Sequence, residues 1–172
     1  MDDVYAELRP LLFSIAYRMV GSVSEAEDLV QEAFVRHHQQ RARGEEIAEP
    51  KAFLSTVVTR LAIDHLRSAR VRREAYVGPW LPEPIVTDES PETNPAAHAE
   101  LADSLSLAFL VLLEQLSPLE RAAFLLREVF GYGYDEIAET VGRSQDACRQ
   151  LVARARRHLD AERPRYEVDT AR

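Results

Sequence analysis

The sequence has one cysteine, no long apolar run and no excess of positive charge, and each shortage excludes a class of protein. The single Cys148 excludes an internal disulfide, and the paired Cys/His spacing of zinc sites is missing. No run of about eighteen apolar residues occurs and the N-terminus, Met1-Asp2-Asp3, is acidic, so we expect neither a membrane span nor a signal peptide. A cytoplasmic protein is therefore predicted.

Motifs that carry catalysis are missing as well. There is no serine elbow, no phosphate-binding loop and no glycine-rich dinucleotide motif. Glu25, Asp28 and Glu32 share one side of a predicted helix, but the Glu-x-x-His partner motif of helical metal sites is absent. We predict no enzyme activity, metal, cofactor or small-molecule substrate, and a metal-dependent helical enzyme is a distant alternative.

Positive charge is scarce overall but locally concentrated. The 172 residues carry a formal net charge of −8, whereas a free-standing nucleic-acid binder is usually basic. Residues 51–77 nevertheless hold six basic and two acidic side chains, and residues 78–100 hold five acids and no Lys or Arg. Basic patches in an acidic chain indicate DNA binding that a partner assists, because phosphate contacts dominate the affinity.

The last third of the chain carries the pattern of a helix-turn-helix. Ile137, Ala138 and Val141 repeat at helical spacing. Gly142 can supply the tight turn, and Ser144 is a good N-cap for a second helix over roughly residues 145–159. The pattern predicts that this second helix enters the major groove of DNA.

The second helix of this motif has an apolar row and a basic row. The apolar row consists of Ala147, Leu151, Ala155 and Leu159, which recur every four residues. Arg and Gln side chains on the other side can bind base edges or hold phosphate. An ordinary surface helix with a solvated basic face is the alternative, which the preceding helix and glycine turn disfavour. The candidate DNA-contacting residues are Ser144, Gln145, Arg149, Gln150, Arg154, Arg156 and Arg157.

The N-terminal part of the chain predicts three helices, because periodicity near 3.6 recurs and no alternating strand pattern lasts. The first can end at Gly21, a capping box of Ser24 and Glu27 opens the second, and the third covers roughly residues 50–73. The apolar stripe of the first helix comprises Tyr5, Leu8, Leu12, Ile15, Ala16 and Met19.

A proline-rich acidic segment divides these helices from the C-terminal ones. Five prolines occur between residues 78 and 95, and no periodicity survives there. Beyond it, Ser117 and Glu120 form another capping box, whose helix is expected to end at Gly131. We predict an all-α fold of two small helical domains: residues 1–77, a linker over 78–96, residues 97–163, and a tail over 164–172.

The third predicted helix offers a second basic face. Asp64 lies at helical spacing from Arg60 and Arg67 and can brace both guanidinium groups. A charged exterior face is the commoner explanation of such a stretch, but the accompanying helix-turn-helix favours a DNA contact. The candidates are Arg60, Asp64, Arg67, Arg70, Arg72 and Arg73, the last three at the helix end.

Three segments resemble parts of bacterial sigma factors. Residues 25–34, Glu-Ala-Glu-Asp-Leu-Val-Gln-Glu-Ala-Phe, closely resemble the region that docks on the RNA polymerase core. Residues 53–67 look like the segment that meets the −10 promoter element, and the C-terminal part resembles the −35-reading domain. In order and spacing, residues 8–159 are similar to the extracytoplasmic-function (ECF) group of the sigma-70 family, which keeps only these two domains.

The resemblance implies a factor that binds RNA polymerase core and directs promoter-specific transcription initiation. It assigns core docking to Glu27, Asp28, Gln31, Glu32 and Phe34. The candidates on the third helix would contact the −10 element, and those of the helix-turn-helix would contact the −35 element. Promoter DNA and the core are the implied partners, and an anti-sigma factor is a further candidate.

The linker resembles a narrower subgroup. Residues 78–84, Gly-Pro-Trp-Leu-Pro-Glu-Pro, are similar to the Trp-Leu-Pro-Glu-Pro stretch of ECF factors with a C-terminal SnoaL-like extension. The implied linker residues are Trp80, Pro82, Glu83 and Pro84. In that subgroup the extension tunes activity; here the sequence stops at Arg172, as either a truncation or a natural short form. Simple packing of Trp80 on a neighbouring domain is the alternative.

A one-component transcriptional regulator is the main competing hypothesis. Its N-terminal helices would sense a ligand or form a dimer, and it would bind a palindromic site. Such a protein has no need of the Glu-Asp-Leu-Val-Gln-Glu motif at residues 27–32. The motif therefore favours the sigma-factor hypothesis.

Overall fold

Helices are the regular elements of the structure, a computed structural model that describes residues 2–73 and 107–161. The N-terminal group consists of α1 (Asp2–Val20), α2 (Val23–Ala42) and α3 (Pro50–Arg73). The C-terminal group consists of α4 (107–113), α5 (Pro118–Phe124), α6 (Tyr134–Val141) and α7 (Gln145–Ala161). The predicted all-α fold is confirmed.

The first three helices pack around one apolar core. Leu12 and Met19 of α1 and Leu54 of α3 are fully buried there. The predicted α1 stripe is wrong at Tyr5, which stays 42% exposed. The ring of Tyr5 lies instead against Phe34 of α2, with 4.6 Å between ring centroids.

The second helix begins two residues earlier than predicted, because Ser22 rather than Ser24 is its N-cap. Gly21 adopts the left-handed conformation with φ of 73°. Glycine adopts this conformation readily because it has no Cβ atom to clash with the backbone. Ser22 then has extended backbone and caps α2, with its Oγ accepting from the N–H of Glu25. The predicted capping box of Ser24 and Glu27 is therefore wrong, because the chain enters the helix directly after Gly21.

The capping box at the start of α5 is confirmed. The N–H of Glu120 donates to Ser117 Oγ at 3.3 Å, and the N–H of Ser117 donates to Glu120 Oε2 at 3.1 Å. Pro118 occupies the first helical position, where its missing N–H costs nothing. These local bonds fix where the helix begins.

The end of this helix differs from the prediction. The α-helix stops at Phe124 and continues as one π-helical turn, Leu125–Val129. The N–H of Phe130 donates to the carbonyl oxygen of Leu125 at 3.1 Å, five residues back. Gly131, with φ of 72°, then ends the segment as expected.

The two helical groups are in direct contact. Leu113 and Phe124 belong to the same apolar cluster as the core of α1 to α3. Arg121, 5% exposed, donates through Nη1 to the carbonyl oxygen of Met19 at 2.5 Å. The sequence does not predict this contact, since the residues involved lie about a hundred positions apart. The domain boundaries given above remain predictions.

Candidate nucleic-acid interface

The C-terminal helices form a helix-turn-helix, as predicted. Gly142 ends α6 in the left-handed conformation, with φ of 67°. Ser144 caps α7, because its Oγ accepts from the N–H of Ala147 at 3.2 Å. The two helices meet over a small core that contains Ile137 and Leu151.

The buried face of α7 differs from the predicted row. Ala147 and Leu159 are only half-buried, because positions spaced by four drift about 40° around the helix at each step. Spacing of three and four residues keeps one face toward α5 and α6. The buried residues are Cys148, Leu151, Val152 and Ala155. Cys148 is completely buried, and burial raises the pKa of its thiol.

The opposite face of α7 is exposed and carries the predicted candidates. Its exposed members are Ser144, Gln145, Arg149, Gln150, Arg154, Arg156 and Arg157. The face is rich in guanidinium and amide groups, which suit both base edges and phosphates. The structure thus keeps the basic row at the surface.

Three of these arginines have acidic partners. Arg149 lies 2.8 Å from Asp146 on α7 itself. Arg154 pairs with Glu120 of α5, and Arg156 pairs with Glu128 of the π-turn. The three arginine side chains are about half exposed, whereas their carboxylate partners range from 89% exposed at Asp146 to 32% at Glu128 and 10% at Glu120. The exposed pair of Arg149 with Asp146 is therefore expected to contribute little to stability. A phosphate can therefore compete most readily for the guanidinium group of Arg149.

Tyr134 and Arg127 complete the basic face, and the sequence interpretation missed both. The guanidinium carbons of Arg127 and Arg149 lie 4.6 and 5.1 Å from the ring centroid of Tyr134. Arg127 also donates through Nη1 to the carbonyl oxygen of Tyr132 at 3.1 Å. The ring therefore holds two arginines from different segments side by side. The spacing of Arg127 and Tyr134 in the sequence does not predict this contact, because the π-turn and Gly131 interrupt the helix between them.

A second exposed surface lies on α2. Glu27, Asp28, Gln31 and Glu32 are exposed, as core docking requires. Glu27 accepts from Arg9 at 3.1 Å and Glu32 from Arg36 at 2.8 Å. Phe34 is half-buried, with its ring against Tyr5. We call the five residues Glu27, Asp28, Gln31, Glu32 and Phe34 the α2 surface.

The predicted arrangement on α3 is partly wrong. Arg60, Asp64 and Arg67 are exposed, but Asp64 forms no ion pair with either arginine among the described side chains. Arg60 instead donates to backbone carbonyls of α6. These carbonyls, at the end of a helix, compete with the carboxylate because they carry partial negative charge and lack helical partners.

Several candidates cannot be placed. The side chains of Arg70, Arg72 and Arg73 lie outside the described residues, although the backbone of α3 extends through them. The linker residues Trp80, Pro82, Glu83 and Pro84 also lie outside the described part of the chain.

Neither a cluster of metal ligands nor a membrane-spanning helix occurs among the described residues. No group of three or more His, Cys, Asp and Glu side chains could hold an ion there. Within the same residues, no helix combines the length and the apolarity needed to cross a bilayer. Glu25, which the sequence offered as a metal ligand, lies 3.1 Å from Nε2 of His65.

The all-helical fold and the exposed face of α7 define a helix-turn-helix protein. Comparison with family models identifies the family to which it belongs. Residues 4–72 match the Sigma-70 region 2 model, and residues 106–159 match the Sigma-70, region 4 model. The chain belongs to the sigma-70 family, and the relatives that it matches include proteins named as ECF sigma factors.

Two relatives come from Mycobacterium tuberculosis. The ECF RNA polymerase sigma factor SigJ is 46% identical over 158 residues, which cover 92% of this chain and 49% of SigJ. A protein named probable ECF RNA polymerase sigma factor SigI is 40% identical over 168 residues, which cover 95% of this chain and 55% of SigI. The chain thus spans about half the length of these relatives.

Solved structures agree with this assignment. The crystal structure of M. tuberculosis SigJ matches with a TM-score of 0.67 at 40% identity, over 92% of this chain and 53% of that one. The sigma factor RpoE of Bartonella quintana, in complex with the anti-sigma factor NepR, matches with a TM-score of 0.66 over 94% of this chain and 96% of that one. At 21% identity, the RpoE match shows the fold alone.

Proposed function

We propose that this chain binds RNA polymerase core and directs transcription initiation from promoters with specific −10 and −35 elements. The observation that carries the proposal is the simultaneous exposure of two surfaces: the acidic α2 surface and the basic face of α7. The chain contributes no active site of its own, and the polymerase supplies the chemistry. Its site of action is the cytoplasm.

The α2 surface is proposed to engage the core. Its carboxylates suit a basic partner, and Phe34 with the neighbouring Tyr5 adds apolar area that is already partly exposed. The acids are held at the surface by exposed pairs with Arg9 and Arg36, whose side chains are about half exposed. Such pairs are weak, so a basic partner can displace them.

The basic face of α7 is proposed to read the −35 element. Arg149 and Gln150 are the first choices for base edges, because both are exposed near the N-terminal end of the helix. Arg154, Arg156 and Arg157 lie further along α7 and suit phosphates, which fix the register of the helix on the duplex. Arg127 joins this group through its stacking on Tyr134.

The −10 element is proposed to meet α3. Arg60, Asp64 and Arg67 are the described candidates, and Arg70, Arg72 and Arg73 extend them. Unstacking a base there costs on the order of a few kcal/mol, which surrounding contacts must offset. Residues 1–77 and 97–163 are the proposed domains, joined by the linker over residues 78–96.

Tethering explains how an acidic chain can select DNA. Two weak DNA contacts and one protein contact reinforce each other once the chain sits on the core, because each later contact becomes intramolecular. The free chain is expected to bind promoter duplex weakly. An anti-sigma factor, as in the RpoE–NepR complex, and a regulatory extension in a longer parent are further proposed partners.

In vitro transcription with core polymerase on a promoter library tests the proposal. The triple variant Glu27→Ala, Asp28→Ala, Gln31→Ala should lose core binding and promoter-directed transcripts while keeping the helical signal in circular dichroism. The matched control is Gln39→Ala, Glu45→Ala, Glu46→Ala, which removes the same residue classes from exposed positions near the end of α2. The control should transcribe like the parent chain.

Two outcomes would reject the proposal. If transcription survives the triple change on α2, the docking surface is wrongly assigned. If the parent chain neither co-purifies with core polymerase nor supports initiation, but binds a palindromic duplex as a dimer, the protein is a one-component regulator.

A further inference from the structure

One carboxylate of α5 connects the start of that helix with α7. Oε2 of Glu120 accepts from the N–H of Ser117 at 3.1 Å, and Oε1 lies 3.3 Å from Nε of Arg154. The Glu120 side chain is 10% exposed, whereas that of Arg154 is 49% exposed. The two oxygens therefore have separate partners, one at the start of α5 and one on the helix that is proposed to read DNA.

The guanidinium group of Arg154 is held at its inner end. Its ion pair with Glu120 is made through Nε, which precedes the two terminal nitrogens along the side chain. Those terminal nitrogens form the outer edge of the group, and such an edge can bind a phosphate through two parallel hydrogen bonds. Arg154 can thus keep its contact with Glu120 while its outer edge binds DNA.

The pair of Arg149 with Asp146 is of a different kind. Asp146 lies on α7 itself and its side chain is 89% exposed, so its carboxylate can turn away into water when a phosphate approaches. Glu120 lacks this freedom, because its carboxylate is shielded from solvent and is bonded to the start of α5. A shielded carboxylate also attracts a guanidinium group more strongly than an exposed one does. Glu120 is therefore suited to fix an arginine, and Asp146 is not.

An arginine that is fixed before DNA arrives binds phosphate at a lower entropic cost. A free arginine side chain has many rotamers, and it loses this freedom when it binds a phosphate. For Arg154 part of the loss already occurs when α5 and α7 pack together and the pair with Glu120 forms. Folding of the helix-turn-helix thus prepares one DNA contact in advance.

We propose that Glu120 is a positioning residue for the −35 contact, which holds Arg154 in the orientation that binds a DNA phosphate. This inference rests on the proposed function and adds a residue that does not itself touch DNA. The sign of its effect is diagnostic. By charge alone, a carboxylate near DNA repels the phosphates, and its removal would tighten binding. Positioning requires the opposite, so the removal of this negative charge weakens binding.

Glu120→Gln tests the proposal, because glutamine also serves in a capping box but has only one acceptor oxygen. When that oxygen accepts from the N–H of Ser117, the amide nitrogen faces Arg154 with donors and the ion pair is lost. Fluorescence anisotropy of holoenzyme with a −35 duplex should show binding about threefold to tenfold weaker than that of the parent, as expected when one long side chain must be ordered on binding. Asp146→Asn is the matched control, since it removes an exposed carboxylate that pairs with an arginine of α7. The control should bind at least as tightly as the parent.

A double-mutant cycle separates positioning from a purely structural role. Arg154→Ala should weaken binding and reduce the slope of log affinity against log salt concentration by about 1, as expected for one lost phosphate contact. Glu120→Gln in the Arg154→Ala background should then have no further effect, because the residue that it positions is gone. A structural role of Glu120 would instead weaken binding by the same factor in both backgrounds. Circular dichroism of each variant records whether the helical fold is kept.

A lysine at position 154 gives a second test, which does not depend on whether Glu120→Gln folds. Arg154→Lys keeps the positive charge but replaces the two-edged guanidinium by one ammonium group, so its affinity should fall nearly to that of Arg154→Ala. Parent-like binding by Arg154→Lys or Arg154→Ala, or binding by Glu120→Gln as tight as that of the parent, would overturn the positioning role. Failure of the proposed function looks different: the parent holoenzyme itself would not bind the −35 duplex, and the positioning role would fall with it.

Discussion

Arg121 joins the two helical groups by donating to the backbone oxygen of Met19, 102 positions earlier in the chain. The same Nη1 lies 3.1 Å from Oε1 of Glu114. The Arg121 side chain is 6% exposed and that of Glu114 is 20% exposed. A guanidinium buried to this degree is stable only when its donors are paired.

Replacing Arg121 with alanine should destabilise the chain by about 3 kcal/mol, because it strips the Glu114 carboxylate and the Met19 carbonyl of a buried partner. Urea unfolding followed by circular dichroism gives the free energy. Arg36→Ala is the control: Arg36 pairs with Glu32 at the surface, with side chains 51% and 47% exposed. Its cost should stay below about 0.5 kcal/mol. Equal losses in the two variants would contradict the role of burial.

His37 should make stability depend on pH on the acidic side. The residue is 8% exposed, and its ring centroid lies 6.0 Å from that of Phe53. Burial, and then the charges of Arg41 and His38, lowers the pKa of His37 below its ordinary value of 6.5. As the pH falls, His37 is therefore protonated in the unfolded state before it is protonated in the folded state. The stabilising contribution is complete above the unfolded pKa and is lost as pH falls through the folded pKa.

Unfolding midpoints measured in steps from pH 7.5 to pH 5 check the His37 prediction. The parent should weaken progressively below about pH 6.5, and His37→Phe should flatten this part of the curve. Gln39→Ala, at an exposed and non-titrating position of α2, should leave the slope unchanged. A parent slope that persists in His37→Phe would assign the dependence to another group.

Tyr134 should position Arg149 and Arg127 for DNA. Tyr134→Leu removes both ring contacts, each worth about 0.5–1 kcal/mol at exposed sites, so affinity for a −35 duplex should fall severalfold. Tyr134→Phe keeps the ring and should bind like the parent. The measurement is fluorescence anisotropy with holoenzyme, with core affinity recorded in parallel. A loss in both variants would point to the hydroxyl rather than to the ring.

Thr59→Val should stabilise the chain. Thr59 Oγ1 is fully buried and has no hydrogen-bond partner among the described residues. Valine has nearly the same shape and removes a desolvated hydroxyl, so the free energy of unfolding should rise by roughly 1 kcal/mol. Thr140→Val, which removes a paired hydroxyl, should lower it instead. Thermal unfolding of the two variants gives the sign, and a destabilised Thr59→Val chain would show that the hydroxyl is satisfied.

Local patterns predicted the helix-turn-helix and the start of α5. Gly142, Ser144 and the Ser117–Glu120 box act within a few residues of the chain, so their chemistry can be read directly from the sequence. The candidates on α7 and four of the five residues of the α2 surface are exposed, whereas Phe34 of that surface is half-buried. Their roles in DNA and core binding remain predictions.

Features that depend on distant residues were not predictable. Asp64 lies at good helical spacing from Arg60, yet Arg60 binds α6, some eighty positions away. The buried face of α7 is set by α5 and α6 together, which moved Cys148 into the core. In each case tertiary contacts chose among arrangements that the local sequence allowed.

The π-turn Leu125–Val129 has a consequence for engineering this domain. One additional residue in this turn shifts the phase of the residues at its end by about 100° relative to a continuous α-helix. Arg127 and Glu128, which contact Tyr134 and Arg156, lie inside this turn. A chimaera that exchanges the helix-turn-helix between relatives must therefore match the residue count here. A single deletion in this turn would displace Arg127 from Tyr134 or Glu128 from Arg156, although it would leave every proposed DNA-contacting residue of α7 unchanged.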